Sequence, residues 1–535
     1  MRPTPSGFSW RVANSSASPV AVRRVTAVCT LSGLTGRVRM FRNGWQSWSE
    51  SSVAVLGVDT DPSLAPGALE LQVMSHHADA RADATGRLRS ELVTVVADDG
   101  GAVLAGFLGG DRHDGTIWLA HGPTGQELHI VAFLGGAVLE AGEERELHEV
   151  RVCEVEDPRA ALADWATECG RMSGARVTAP YRLGWCSWYQ YYEHVRELDV
   201  RQNLAAAGDW GVEVVQVDDG HQSEVGDWLS SDDSFPSGLP ALASAITGEG
   251  RRAGIWLAPF LAAPSSRVAA DHPHWVARHR DGDPLIAMYN EHWGGFVHTL
   301  DTSHPAVLEH LERTAAALVE MGFSYLKLDF TYAPGMEGRY HDRSLTPAQR
   351  VRAGFDAIRR GAGDGTFLLG CGAPLGAAIG VVDGMRIGPD VAPWWAPRLD
   401  LWELPGYMTT IPATVNAWRN TLTRSFMHRR LWLNDPDCLM LRTSDTELTE
   451  EQVEAWAMAV AVSGGMAVLS DDLTTLDGRA RALLAEVLEL GRECDAAADV
   501  QCDDLMQDAL PRRLAAGAVR LSGDPERGSA RLLRT

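Results

Sequence analysis

The sequence predicts an α/β fold: a (β/α)8 TIM barrel with an N-terminal antiparallel β-sandwich and a small C-terminal β domain. Three observations predict it. Eight short apolar runs each end in polar or aromatic groups. Most are separated by stretches whose apolar residues recur at three and four, the period of a helix packed along one face. The residues ahead of this array alternate in short segments between apolar and polar, as half-buried antiparallel strands do.

Taken in order, residues 1–170 contain VAVRRVTAVCTL, GRVRMF, LVTVVAD, AVLAGFL, TIWLAHG, ELHIVAFL and LHEVRVCEV, broken by Gly, Asp and Pro, and read as the sandwich domain. EDPRAALADWATECGRM then reads as a linking helix. Residues 171–490 hold the barrel, with strand-like runs LGWCSWY (183–189), VVQVDDG (214–220), GIWLAPF (254–260), YLKLDF (325–330), FLLGCG (367–372), GMRIGPD (384–390), WLNDPDC (432–438) and GMAVLSDD (465–472). DVRQNLAAAGDW, HPAVLEHLERTAAALVEMG and TELTEEQVEAWAMAVAVSGG are the clearest helices between them. The gap between the fifth and sixth runs is too short for a regular helix, and the gap between the third and fourth holds a long insertion. Residues 491–535 include AGAVRLSG and SARLLRT, possible strands of a small terminal β domain.

At 535 residues the chain exceeds a bare barrel of about 250, so further domains are expected. A net charge of -23 disfavours nucleic acid and anionic membrane as partners. No apolar run approaches a membrane span, and MRPTPSGFSWRV lacks the apolar core of a signal peptide, so a cytoplasmic location is expected. Eight cysteines without a CxxC pair favour reduced thiols over a disulfide framework or a zinc site. Phosphate-loop and dinucleotide fingerprints are lacking.

Chemistry is most legible in YLKLDF. Alternation puts Tyr325, Lys327 and Asp329 on one face of a largely buried strand, and Asp329 arrives at its C-terminal end, where barrel enzymes keep their active groups. Buried charges need a partner or a purpose; a structural Lys327–Asp329 ion pair is the plain alternative.

The array NGWQSWS (43–49), GWCSWYQYY (184–192), QVDDGHQ (216–222), GIWLAPF, YLKLDF, GCGAPLG (370–376), RIGPDVAPWW (386–395) and NDPDC (434–438) resembles glycoside hydrolase family 36, the α-galactosidases of the retaining α-glycosidase clan, over roughly residues 30–470. The resemblance implies a retaining α-galactosidase that removes terminal α-D-galactose from oligosaccharides such as melibiose and raffinose, with no cofactor and no metal. Retention needs two carboxylates about 5–5.5 Å apart across the anomeric carbon. By resemblance Asp329 is the nucleophile, kept ionised by Lys327, which also bonds the sugar, and Asp390 is the acid/base. Asp390 must start protonated, so its surroundings should raise its pKa, with PWW (393–395) contributing desolvation. Asp218 and Asp219 would accept from the 4- and 6-hydroxyls, provided that the strand ends between them. Trp256 and Trp188 would wall the ring, Cys371 and Arg386 would line the 2-hydroxyl, and Trp48, or else Trp45, would close the pocket from the sandwich domain. The plain alternatives are core tryptophans, a buried thiol, an arginine paired with Asp383 or another carboxylate, and an interdomain packing contact for NGWQSWS.

Other readings compete. A metal-dependent barrel hydrolase would use His272 and His274 with His221, His292 or Asp301, but that HxH lies in the insertion and not on the first strand. A non-catalytic sugar-binding protein would keep the aromatics and lose a carboxylate. A raffinose-synthase-like galactosyl transferase or an α-N-acetylgalactosaminidase would share the pair. Oligomeric state is not encoded legibly.

Overall fold

In the computed structural model, residues 1–31, 33–34, 36–59, 74, 86–398 and 408–534 are described. The eight apolar runs form one parallel sheet from β1 (Leu183–Cys186), β2 (Val214–Val217), β3 (Arg252–Leu257), β4 (Phe323–Leu328), β5 (Phe367–Gly370), β6 (Gly384–Arg386), β7 (Leu433–Asp435) and β8 (Ala467–Leu469). Its order is β7-β6-β5-β4-β3-β2-β1-β8, so each strand lies beside its sequence neighbour and β8 folds back against β1. The barrel closes between β7 and β8 through single hydrogen bonds, Met466 N to Asn434 O at 2.9 Å and Leu439 N to Val468 O at 2.7 Å. Residues pointing inward along β4 occupy successive depths. Tyr325 stacks on Phe367 near the bottom, with ring centroids 5.0 Å apart, and Lys327 lies above it.

The longer helices are α1 (Pro158–Ser173), α2 (Glu197–Trp210), α3 (Gly238–Gly248), α4 (Pro305–Glu320), α5 (Pro347–Ala362), α6 (Thr414–Thr423), α7 (Glu450–Val462) and α8 (Gly478–Ala497). Local sequence sets several of their ends. Asp157 caps α1 before Pro158, and Gly174 ends it in the left-handed region. Thr346 with Gln349, and Thr449 with Gln452, form capping boxes at α5 and α7. Between β5 and β6 only Leu375–Ala378 is helical, as the short gap predicts. The long β3–β4 insertion builds a three-stranded antiparallel sheet from Leu261–Ala262, Gly295–Thr299 and Ile286–Asn290.

Ahead of α1, a seven-stranded and a four-stranded antiparallel sheet face each other over a core that includes Met40, Phe41, Val95, Leu104, Ile117 and Ile130. The tail forms a four-stranded antiparallel sheet, two of whose strands, Val519–Asp524 and Ser529–Arg534, coincide with the alternating segments of the sequence. Its other two, Val500–Cys502 and Arg513–Ala516, carry too little alternation to be read in advance. Among the described residues no helix is long and apolar enough to cross a membrane.

Candidate active site

Asp329 is the first residue beyond β4, and the backbone turns sharply after it: Phe330 has φ 52°, a left-handed conformation unusual for an aromatic residue. That turn brings the Phe330 N–H to Asp329 Oδ1 at 2.8 Å, while Trp256 of β3 donates Nε1–H to Oδ2 at 3.0 Å. Each carboxylate oxygen thus holds one donor and keeps lone-pair capacity on a buried side chain. A strained residue beside a buried carboxylate is characteristic of functional sites. Trp256 is itself held from behind, its carbonyl accepting from His221 Nε2 at 2.9 Å.

Lys327 leans away from its expected partner. Its Nζ lies 2.9 Å from Asp218 Oδ2 and 3.9 Å from Asp329 Oδ2. Burial opposes its charge, but Asp218 and Asp329 outweigh that and raise the ammonium well above its ordinary pKa. β2 ends at Val217, so the chain turns at Asp218 and Asp219 and both carboxylates enter the same region, as the sequence requires of them. Asp218 accepts from Lys327, Gln216 and Cys186. Burial works against its ionisation, yet Lys327 holds its pKa below the usual carboxylate value. Asp219 has no cation partner among the described residues. Gln222 Nε2 reaches its Oδ1 at 2.6 Å and Trp293 Nε1 reaches its Oδ2 at 2.9 Å, and burial pushes it up to about 6.

On the opposite wall Arg386, at the end of β6, spreads its guanidinium over three carboxylates: Asp390 Oδ1 at 2.9 Å, Asp435 Oδ2 at 3.2 Å and Asp437 Oδ1 at 2.7 Å. The expected alternative partner, Asp383, instead binds Arg359 and Arg176. One cation among three anions leaves negative charge in excess. Asp390 keeps 32% of its side-chain surface exposed. Burial, with Asp437 and Asp329 adding repulsion against the pull of Arg386 and Lys327, pushes it up to about 7. Asp437, with φ 94°, also accepts from the Val391 N–H at 2.8 Å and from the Tyr189 hydroxyl, tying down the backbone after Asp390. In the PWW segment both indoles bond to loop carbonyls. Trp395 turns to the terminal sheet, donating to Pro525 O at 2.7 Å, and Trp394 donates to Pro412 O.

NGWQSWS crosses from the sandwich to the barrel. Ser47 N bonds Ala373 O and Leu375 N bonds Trp45 O, each at 3.0 Å. The fully buried Arg424 donates to Asn43 Oδ1 and to the carbonyls of Gly44, Gln46, Ser47 and Ile387, so one side chain sews the loop to the end of β6. Burial, with repulsion from Arg419, lowers its pKa to about 9. The two tryptophans part company. Trp45 is buried and donates to Asp114 Oδ1 within the sandwich. Trp48 is partly exposed and lies edge-on to Phe330, with ring centroids 5.0 Å apart. Its indole N–H is buried without a hydrogen-bond partner among the described residues. Gly372, next to the buried Cys371, has φ 50°, and a Cβ there would come within 2.7 Å of the Trp48 ring, so only glycine lets the indole in.

The structure therefore brings Asp218, Asp219, Trp256, Lys327, Asp329, Arg386 and Asp390 together, with Cys371 and Trp48 at their edge. Trp188 is half-buried. It sits on a short helix after β1 and packs edge-on against Tyr192 at 5.3 Å. Four residues escaped the sequence: Asp435, Asp437, Tyr189 and Trp293. The two aspartates lie in NDPDC at the β7 end, where a strand-end search finds them. Tyr189 and Trp293 have no comparable local signal. The histidines of the metal reading are scattered: His272 stacks on Trp275 at 3.8 Å, His292 faces Glu193, and His221 faces Trp256.

Comparison with known proteins agrees with this arrangement. The Melibiase family model matches residues 184–346, from β1 to the start of α5. An α-galactosidase of Pediococcus pentosaceus is 28% identical over 151 residues, 27% of this chain and 20% of that enzyme, and one of Escherichia coli is 25% identical over 160 residues, 28% of this chain and 22% of that enzyme. The matched stretch thus spans about a fifth of these curated relatives. An α-galactosidase of Thermus thermophilus, solved with p-nitrophenyl α-D-galactopyranoside, matches 96% of this chain and 99% of its own at 26% identity and TM-score 0.73. The family 36 enzyme of Geobacillus stearothermophilus shares the fold at 13% identity and TM-score 0.61, over 98% of this chain and 70% of its own. A neighbour is thus matched from end to end, and the Melibiase model runs through the strands that hold Asp218, Trp256 and Asp329, so the chain is similar to α-galactosidases both in its fold and along the strands of its candidate site.

Proposed function

We propose that the protein is a retaining α-galactosidase that hydrolyses terminal non-reducing α-D-galactose from oligosaccharides such as melibiose, raffinose and stachyose, without a cofactor. One observation supports this above the others: two strand-end carboxylates in unlike settings. Asp329 is bonded by two N–H groups with Lys327 nearby, the surroundings of a charged nucleophile. Asp390 is raised to about 7, the condition of a proton donor. In the first step an Asp329 oxygen bonds to the anomeric carbon as the glycosidic bond breaks, and the leaving oxygen takes the Asp390 proton. In the second, water yields a proton to Asp390 and its oxygen to the anomeric carbon, releasing Asp329. Asp218, Asp219 and Lys327 hold the sugar hydroxyls, Trp256 walls the ring, Arg386 and Cys371 flank the 2-hydroxyl, and Trp48 closes the mouth. The α-galactosidase relatives, and a Thermus thermophilus neighbour solved with stachyose, support the choice of sugar. The division into sandwich (1–170), barrel (171–490) and terminal β domain (491–535), and a cytoplasmic setting, belong to the same proposal.

A panel of nitrophenyl glycosides tests sugar and anomer together. Turnover of the α-galactoside, at least about a hundredfold above the α-glucoside, the α-N-acetylgalactosaminide and the β-galactoside, is the expected outcome. Preference for any of the other three overturns the reading.

A further inference from the structure

The long insertion between β3 and β4 contributes one residue to the site, and nothing in the mechanism above uses it. Its hairpin, Ile286–Asn290 with Gly295–Thr299, turns through Glu291–Trp293. At that turn neighbouring side chains go to opposite destinations: His292 reaches Glu193 on the exposed side at 3.1 Å, while Trp293 is buried and bonds Asp219 Oδ2. The indole also packs edge-on to Phe330 at 5.2 Å and lies 5.9 Å from Trp256. It therefore touches the three elements that supply Asp219, Asp329 and the wall of the pocket.

We propose that Trp293 is a positioning residue that orients the Asp219 carboxylate for the sugar hydroxyls, and that the insertion is thereby a working part of the galactose pocket. The inference rests on the galactosidase reading. A carboxylate binds hydroxyls best when it is charged and its free lone pairs point at them. Asp219 meets the opposite pressure. Asp218 and Asp329 face it with like charge, and Lys327 is committed to Asp218 at 2.9 Å. His221, beside it, is held neutral by burial, and Glu193 and His292 pair with each other at the rim. Only Gln222 and Trp293 donate to it from side chains among the described residues. Removing the indole donor raises the Asp219 pKa further above about 6, so a larger fraction is neutral near pH 7 and the remaining carboxylate is free to rotate.

The test compares wild-type protein with Trp293→Phe, which keeps a ring in the cavity and removes the N–H, and with Trp293→His, which restores a ring N–H. Initial rates on p-nitrophenyl α-galactoside are taken from pH 4 to 9. In Trp293→Phe the expected result is a KM raised about five- to twentyfold at pH 7, kcat within about threefold, and an acid limb of kcat/KM moved at least about half a pH unit upward. Trp293→His should recover part of each change. A Trp293→Phe profile that superimposes on wild type, or a loss confined to kcat, overturns the proposal. Should both variants fold poorly, calorimetric binding of galactose to Asp329→Gly serves instead. Affinity that weakens as pH falls is expected, with a midpoint below about 6 because Asp329 no longer repels Asp219, and pH-independent affinity overturns it. Wild-type protein inactive on the galactoside would refute the parent reading and leave that calorimetric test of Asp219 standing.

Discussion

At the scale of single residues, the division of labour between the two carboxylates follows from their partners and not from their chemistry, which is the same. Asp329 meets donors, and Asp390 meets one cation shared with two further carboxylates. The acid must be protonated to act, so the alkaline limb of kcat/KM should fall as pH rises through about 7. Asp390→Ala should abolish that limb. It should also cost about 10²- to 10⁴-fold on melibiose, whose sugar leaving group needs a proton, but less than about tenfold on a galactoside of an acidic phenol. Equal losses on the two substrates, measured side by side, would assign Asp390 another role. The sequence shows both aspartates because each ends a recognisable strand. It does not show the sharing of Arg386 among Asp390, Asp435 and Asp437, which arises only when the ends of β6 and β7 meet in space.

At the scale of elements, the site depends on segments that are not barrel strands. NGWQSWS stands out in the sequence because two tryptophans in a polar loop must pack somewhere, and which of them reaches the pocket is settled by Asp114 and Gly372, residues far from both in the chain. Trp48→Ala should lower kcat/KM for galactosides about ten- to a hundredfold, the equivalent of roughly 1–3 kcal/mol of lost contact, with little change in Tm. A variant that melts several degrees lower at normal kcat/KM would make Trp48 an interdomain packing residue. The insertion hairpin is the contrary case. Its length is evident in the sequence, but nothing in EHWGG distinguishes a tryptophan that reaches Asp219 from one that fills a local core.

At the scale of the whole molecule, sandwich, barrel and insertion converge on one pocket, and Arg424 joins two of them through five hydrogen bonds, with no carboxylate partner among the described residues. The barrel was legible because its strands are regular and ordered, each beside its neighbour. The terminal sheet was only half legible, since short edge strands leave a weak pattern. In the proposed mechanism this pocket works by double displacement through Asp329. Asp329→Gly is the sharpest test: it vacates the nucleophile's space and leaves the Asp390 carboxyl in place, although it removes one of the charges that raise that acid. The variant should bind galactosides, turn over none, and recover activity with added azide, the anion attacking from the vacated side and releasing β-galactosyl azide by a single inversion. An α-configured azide, or full turnover without azide, would contradict it.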